Sequence, residues 1–157
     1  MPELPRDTVM GQGVMAPLRP GEVMLAEWPA DKGSYWRSHA IMAVIGGFVG
    51  GVVLVAIGNP SPWVGPVAAV AAMGARGWYL ASEALVAQWR LSDQRLQGPG
   101  GRNISLGQIK TVRKFLGDVQ VVTQAGDKHL MKYMADAGAV VAAIEAARSG
   151  RKSGRAR

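Results

Sequence analysis

Residues Ser38–Ala75 read SHAIMAVIGGFVGGVVLVAIGNPSPWVGPVAAVAAMGA, 38 consecutive positions between Arg37 and Arg76 without one Asp, Glu, Lys or Arg. About a quarter of an average soluble domain is charged, so a gap of this length marks a different solvent. A bilayer core of about 30 Å takes about 20 helical residues at about 1.5 Å of rise each, and the gap holds most of two crossings. Its middle, Gly58-Asn59-Pro60-Ser61-Pro62, is a turn by composition, because two prolines and a Gly-Asn pair do not continue a helix. The expectation is a two-helix transmembrane hairpin over 39–82, with spans at 39–57 and 63–82.

The first span is uninterrupted and rich in Val, Ile, Met and Phe; five acidic residues lie within 1–38, which separates it from a signal peptide. The second is weaker. Only Trp63–Ala75 is free of charge, so a full crossing to Ser82 carries Arg76 inside it. An arginine at mid-bilayer costs about 2.5–3.5 kcal/mol, less where the side chain snorkels to the interface. Trp78 and Tyr79 beside it have the composition of an interfacial belt. The connector 58–62 is uncharged, whereas Lys32, Arg37, Arg76, Arg90 and Arg95 crowd the other ends. The positive-inside bias then puts both termini in the cytoplasm of a bacterial inner membrane, crossed more than once.

Gly46, Gly47, Gly50 and Gly51 form two overlapping GxxxG pairs, and small residues four apart let helix backbones approach closely. Two uses are open, packing of the two spans on each other and a surface for self-association or for other membrane subunits. Ahead of the hairpin, 1–38 is an N-terminal segment broken by Pro2, Pro5, Pro17, Pro20 and Pro29. Within it Gly21–Trp28 is a strand or a membrane-surface segment.

After the hairpin the pattern turns to short strands. Val86–Leu91, Arg95–Gln97, Asn103–Leu106, Gln108–Phe115, Asp118–Gln124 and Lys128–Met134 are separated by Gly, Pro and Asp turns. Asp136–Arg148 is predicted as a helix, with Asp136 as N-cap and Val140, Val141, Ile144 and Ala147 on one face. The expected fold is thus a membrane hairpin plus a small α+β domain over 86–148, its antiparallel sheet or barrel closed by one C-terminal helix. A basic tail, 149–157, follows.

Trp89-Arg90-Leu91-Ser92-Asp93-Gln94-Arg95-Leu96 resembles the motif that opens bacterial pleckstrin-homology-like domains just after a membrane hairpin. The order of parts is similar too. A Pro20-Gly21-Glu22 leader comes first, then two spans, the Trp89 motif, a segment with Ile104, Leu106 and Ile109, a Gly117-Asp118-Val119 strand and a terminal helix. The similarity covers 20–147, with a Pro-Gly-Gly insert at 99–101 as a departure. A looser one relates the chain to photosynthetic-complex assembly proteins of purple bacteria. The resemblance implies a pleckstrin-homology-like fold and this topology, and no reaction.

Catalytic chemistry finds little to work with. The chain has no Cys and only His39 and His129, which argues against thiolate sites, multi-histidine metal sites and a Ser-His-Asp triad. His39 at the head of the first span is either a polar anchor, the favoured reading, or a haem or chlorophyll ligand. Arg95 beside Asp93 is read first as a strand-to-strand ion pair and second as a phosphate ligand. Carboxylates are scattered, and no catalytic residue, cofactor or metal is expected. The formal charge is +7, and over 83–157 thirteen basic residues face six acidic ones. Arg76, Arg148, Arg151, Lys152, Arg155 and Arg157 are candidate contacts to anionic phospholipids or to an acidic partner. Tethering to a bilayer argues against nucleic acid as a partner. Two functions are expected, a non-enzymatic scaffold, assembly factor or accessory subunit of a membrane complex, and, as the alternative, an anionic-lipid-binding module.

Overall fold

The computed structural model describes residues 15–155, with side chains as far as Arg151; Arg157 and the side chains of Lys152 and Arg155 lie outside the described residues. In chain order come β1 (Met24–Pro29), α1 (Lys32–Ala56), α2 (Val64–Ala84), β2 (Gln88–Ser92), β3 (Arg95–Gly98) and β4 (Arg102–Ser105). A 3-10 turn at Leu106–Gln108 leads into β5 (Ile109–Phe115), β6 (Asp118–Thr123), β7 (Lys128–Met131) and α3 (Ala137–Arg155). Two units result. Ala30–Val86 holds α1 and α2, while the described residues up to Pro29 join those from Ala87 onward in a unit holding all described strands and α3.

The strand unit is α+β with two antiparallel sheets, ordered β1-β2-β3-β4 and β5-β6-β7. Alternation explains how they bury one face each. In β6, Val119 and Val121 are fully buried while Asp118, Gln120 and Val122, which alternate with them, are half-buried. Leu91, Leu96 and Ile104 from the first sheet, Val119, Val121 and Met131 from the second, and Val140 and Ile144 from α3 make one core. Trp89 completes it by lying on Gly98, where a Cβ would come within 3.0 Å of the indole ring.

No closed barrel forms among the described strands. The 3-10 turn with buried Leu106, whose N–H donates to Gln94 O at 3.0 Å, interrupts the ladder between β4 and β5 and leaves two sheets. Gly21–Trp28, open between two readings in the sequence, supplies β1, which pairs with β2 and sets Trp28 opposite Trp89. Segment 1–38 therefore divides, since its described residues up to Pro29 belong with the strands and those from Lys32 are helical.

α1 starts well ahead of His39 because the Asp31 carboxylate accepts the Ser34 N–H at 2.6 Å and caps it; hydropathy reads the solvent of a segment, not the start of its helix. Among the described helices α1 alone is long and apolar enough to cross a membrane. α2 forms where the second span is expected, but its Ala and Gly content and Arg76 and Glu83 dilute its hydropathy. α3 runs through Arg148 to Arg155, so the tail is helical as far as that residue. Gly150 and Gly154 weaken a helix without stopping it as proline does.

The β5–β6 hairpin has a two-residue loop, Leu116-Gly117, with φ of 51° and 90°. Both positive values suit the turn that matches strand twist, and Asn or Gly normally fills such positions. A leucine there costs about 1–2 kcal/mol of backbone strain. Leu116→Asn is expected to stabilise the strand unit by about 1 kcal/mol, seen as a higher thermal midpoint of the full-length protein in detergent.

Candidate functional site

The helical unit is built on its glycines. On α1, Tyr35, His39, Ala43 and Gly47 recur every fourth residue and are buried, and Gly46, Gly47, Gly50 and Gly51 face α2. Their neighbours there are Gly65, Pro66 and Ala69. A Cβ on Gly65 would stand 2.7 Å from Gly50 C and 2.7 Å from Gly51 N, so only glycine permits this approach. Of the two uses open to the glycine pairs, this seam is the one within the hairpin. At its other end the Tyr35 hydroxyl donates to Gly77 O at 2.7 Å. His39 lies against Tyr35 with ring centroids 4.4 Å apart and planes tilted by 40°, and its Nδ1 lies 3.0 Å from Tyr35 O, which places it in the hairpin's packing.

The seam gives a prediction in a chain that has no cysteine of its own. The Cβ position at Gly46 lies 3.7 Å from Ala69 Cβ, inside the disulfide range of about 3.5–4.5 Å. Gly46→Cys with Ala69→Cys is expected to cross-link readily on oxidation, read as a mobility shift after proteolysis in the connector. Adding Gly65→Leu, an overpacking cost of about 1–3 kcal/mol, is expected to suppress the cross-link.

The opposite face of α1 is no less apolar. Val44, Phe48 and Val55 are 72%, 73% and 63% exposed, and Val67, Val70, Trp78 and Tyr79 of α2 are likewise uncovered. A helix apolar all round is a helix for a core or a bilayer. Arg76 is exposed on α2 between small residues.

In the strand unit, the residues of the Trp89 motif hold the N-terminal strand. Arg95 is buried and donates through Nε to Glu22 Oε1 at 2.9 Å and through Nη2 to Glu22 Oε2 at 3.0 Å and Pro17 O at 2.9 Å. Ser92 Oγ donates to Glu22 Oε1 at 2.5 Å. Asp93 accepts the Val23 N–H at 2.9 Å, and its own N–H donates to Val23 O. The expected pairing of Arg95 with Asp93 is thus replaced by a pairing with Glu22, because Asp93 turns to the β1 backbone instead. The hydrogen bond from the Arg95 guanidinium, working against burial, holds the Glu22 carboxyl down at about 2. Sequence spacing hides this lock, since the whole hairpin lies between Glu22 and Arg95. The signal that could have found it is the joint occurrence of the Pro-Gly-Glu leader and the Ser-Asp-x-Arg motif in one resemblance.

The remaining cations divide. Arg148 donates to both oxygens of Glu145, at 2.7 and 2.8 Å, and to Lys110 O at 3.1 Å, and Arg151 donates to Gln94 O at 2.7 Å. Both fasten α3 to the sheets. Beside them an open groove of about 910 Å³ is lined by Leu25, Leu91, Ala143 and Ala147, with Asp93 and Arg151 among its polar walls. Among the described residues no group of three His, Asp or Glu is placed to hold a metal ion. No protein-family model matches the chain, and no curated protein or solved structure matches it either.

Proposed function

We propose that this chain is a multi-pass protein of the bacterial cytoplasmic membrane, a two-helix anchor carrying a pleckstrin-homology-like domain. It serves as a non-enzymatic scaffold, assembly factor or accessory subunit of a larger membrane complex. The observation that carries the topology is the pairing of Pro29 with Gln88 at the end of the β1–β2 ladder. The chain leaves the sheet for α1 next to the point where it returns from α2. A crossing by α1 therefore requires a return by α2, whatever the hydropathy of α2 alone. Snorkelling by Arg76 and the nearby Trp78 and Tyr79 reduce the penalty of that second crossing.

Short antiparallel strands followed by one C-terminal helix, with the hairpin inserted after the first strand, support the pleckstrin-homology-like reading. The carboxylates support a non-enzymatic role, because most have structural duties. Glu22 binds Arg95, Asp31 caps α1, Asp93 holds β1, Asp118 accepts the Tyr133 N–H and Asp136 caps α3. An exposed apolar helix surface beside a folded domain suits a subunit that meets other membrane proteins laterally.

The test is extraction of the tagged full-length protein in a mild detergent, followed by sizing and mass spectrometry. A membrane protein recovered with it in fixed stoichiometry is expected. A monomer carrying only lipid would contradict the accessory-subunit reading.

A further inference from the structure

We propose that the β5–β6 hairpin tip, Phe115-Leu116-Gly117, is a second membrane contact that inserts into the headgroup region of an anionic leaflet. This inference rests on the membrane reading above. Leu116 is 91% exposed, more than any other large apolar residue described, and Phe115 next to it is 44% exposed. Leu116 also holds a left-handed backbone, φ 51°, that disfavours its side chain, and no packing compensates. The next hairpin in the same sheet turns through Ala125-Gly126-Asp127, the small and polar composition that a turn in water takes.

Charge points to the partner. Arg113 and Lys114 precede the tip on β5, and Lys132 follows β7 beside Asp118. The acids nearby are Asp118, half-buried beside Lys132 and accepting the Tyr133 N–H, and Asp136, beside Lys114 and capping α3, so three cations stand against two carboxylates and the surplus is positive. Two apolar side chains form too small a surface for a protein interface, which takes about 800 Å² per partner. They match an interfacial anchor, where a few apolar groups enter the headgroups and flanking cations meet anionic lipid. A covalent anchor in the same membrane makes this contact intramolecular, so a weak affinity suffices.

The experiment uses the full-length protein, free of native cysteine, in lipid nanodiscs of phosphatidylcholine with or without phosphatidylglycerol. An environment-sensitive dye is placed through Leu116→Cys, through Ala125→Cys at the other turn, or through Phe48→Cys on α1. The expected result is an apolar signal at position 116 that grows with phosphatidylglycerol, an aqueous signal at 125 and an apolar one at 48 in both lipids. Arg113→Gln with Lys132→Gln is expected to weaken tip docking about fivefold per cation removed. An aqueous signal at 116 with an apolar one at 48 overturns the tip contact and leaves the anchor standing. An aqueous signal at both overturns the two together. A dye at 125 that responds as strongly as at 116, or a response at 116 indifferent to phosphatidylglycerol, also overturns the proposal.

Discussion

Arg95→Leu is expected to destabilise the strand unit by about 3–5 kcal/mol, because it leaves the Glu22 carboxylate buried without its partner. Against the 5–15 kcal/mol that holds an ordinary domain, this is a large share. The loss falls first on β1, which Glu22, Ser92 and Asp93 tie to the rest of the sheet. Hydrogen exchange on the full-length variant in detergent is expected to show Met24–Pro29 losing protection before β6. Replacing both partners, Glu22→Leu with Arg95→Leu, is expected to recover most of the loss, since an apolar pair removes the uncompensated charge. Loss of equal size in the single and double variants would mean that the pair is not what holds β1.

The same pair sets an acid limit. The Glu22 carboxyl sits at about 2 in the folded protein against an ordinary 4.5, so between those values the unfolded chain binds a proton that the folded one does not. Its contribution to stability is complete above about pH 4.5 and is lost as the pH falls towards 2. Arg95→Leu removes the group that lowers this carboxyl, and the stability of that variant is expected to depend less steeply on pH across the same interval.

The second large effect is expected from Val49→Lys. Val49 is 53% exposed and lies in the apolar body of α1. On a helix in water, this change at an exposed site stays within about 0.5 kcal/mol and improves solubility. On a helix in lipid it costs about 2.5–3.5 kcal/mol of insertion free energy. The second outcome is expected, read as a fall in the fraction of protein that resists alkaline carbonate extraction. Val70→Lys, at a residue 63% exposed on α2, puts the same question to the return crossing. An unchanged membrane fraction for that variant would place α2 outside the lipid.

Periodicity made the strands legible. The six segments predicted after the hairpin overlap β2 to β7, because Gly, Pro and Asp turns separate them and alternation survives in Asp118–Thr123. The C-terminal helix was legible from Asp136 and from Val140 and Ile144, both of which enter the core. β1 was not separable from a surface segment, because a six-residue run carries too few alternations to exclude other structures. Nor was its attachment. Strand pairing across the inserted hairpin leaves no local trace, so Arg95 read as the partner of its neighbour Asp93 and not of Glu22. The glycine pairs told of close approach but not of which helix approaches, a question that Gly65 and Pro66 answer only in three dimensions. For Arg148 and Arg151, composition reported positive charge and concealed that both donate to backbone carbonyls.

In the proposed topology α1 and α2 carry the chain across a bilayer and back, with the strand unit and the connector on opposite sides. A membrane-impermeant maleimide tests it on intact cells producing the full-length protein with Asn59→Cys in the connector or Ala125→Cys in the strand unit. Labelling is expected at position 59 from outside the cytoplasmic membrane, and at 125 only after that membrane is opened. Labelling of both positions from the same side would contradict it.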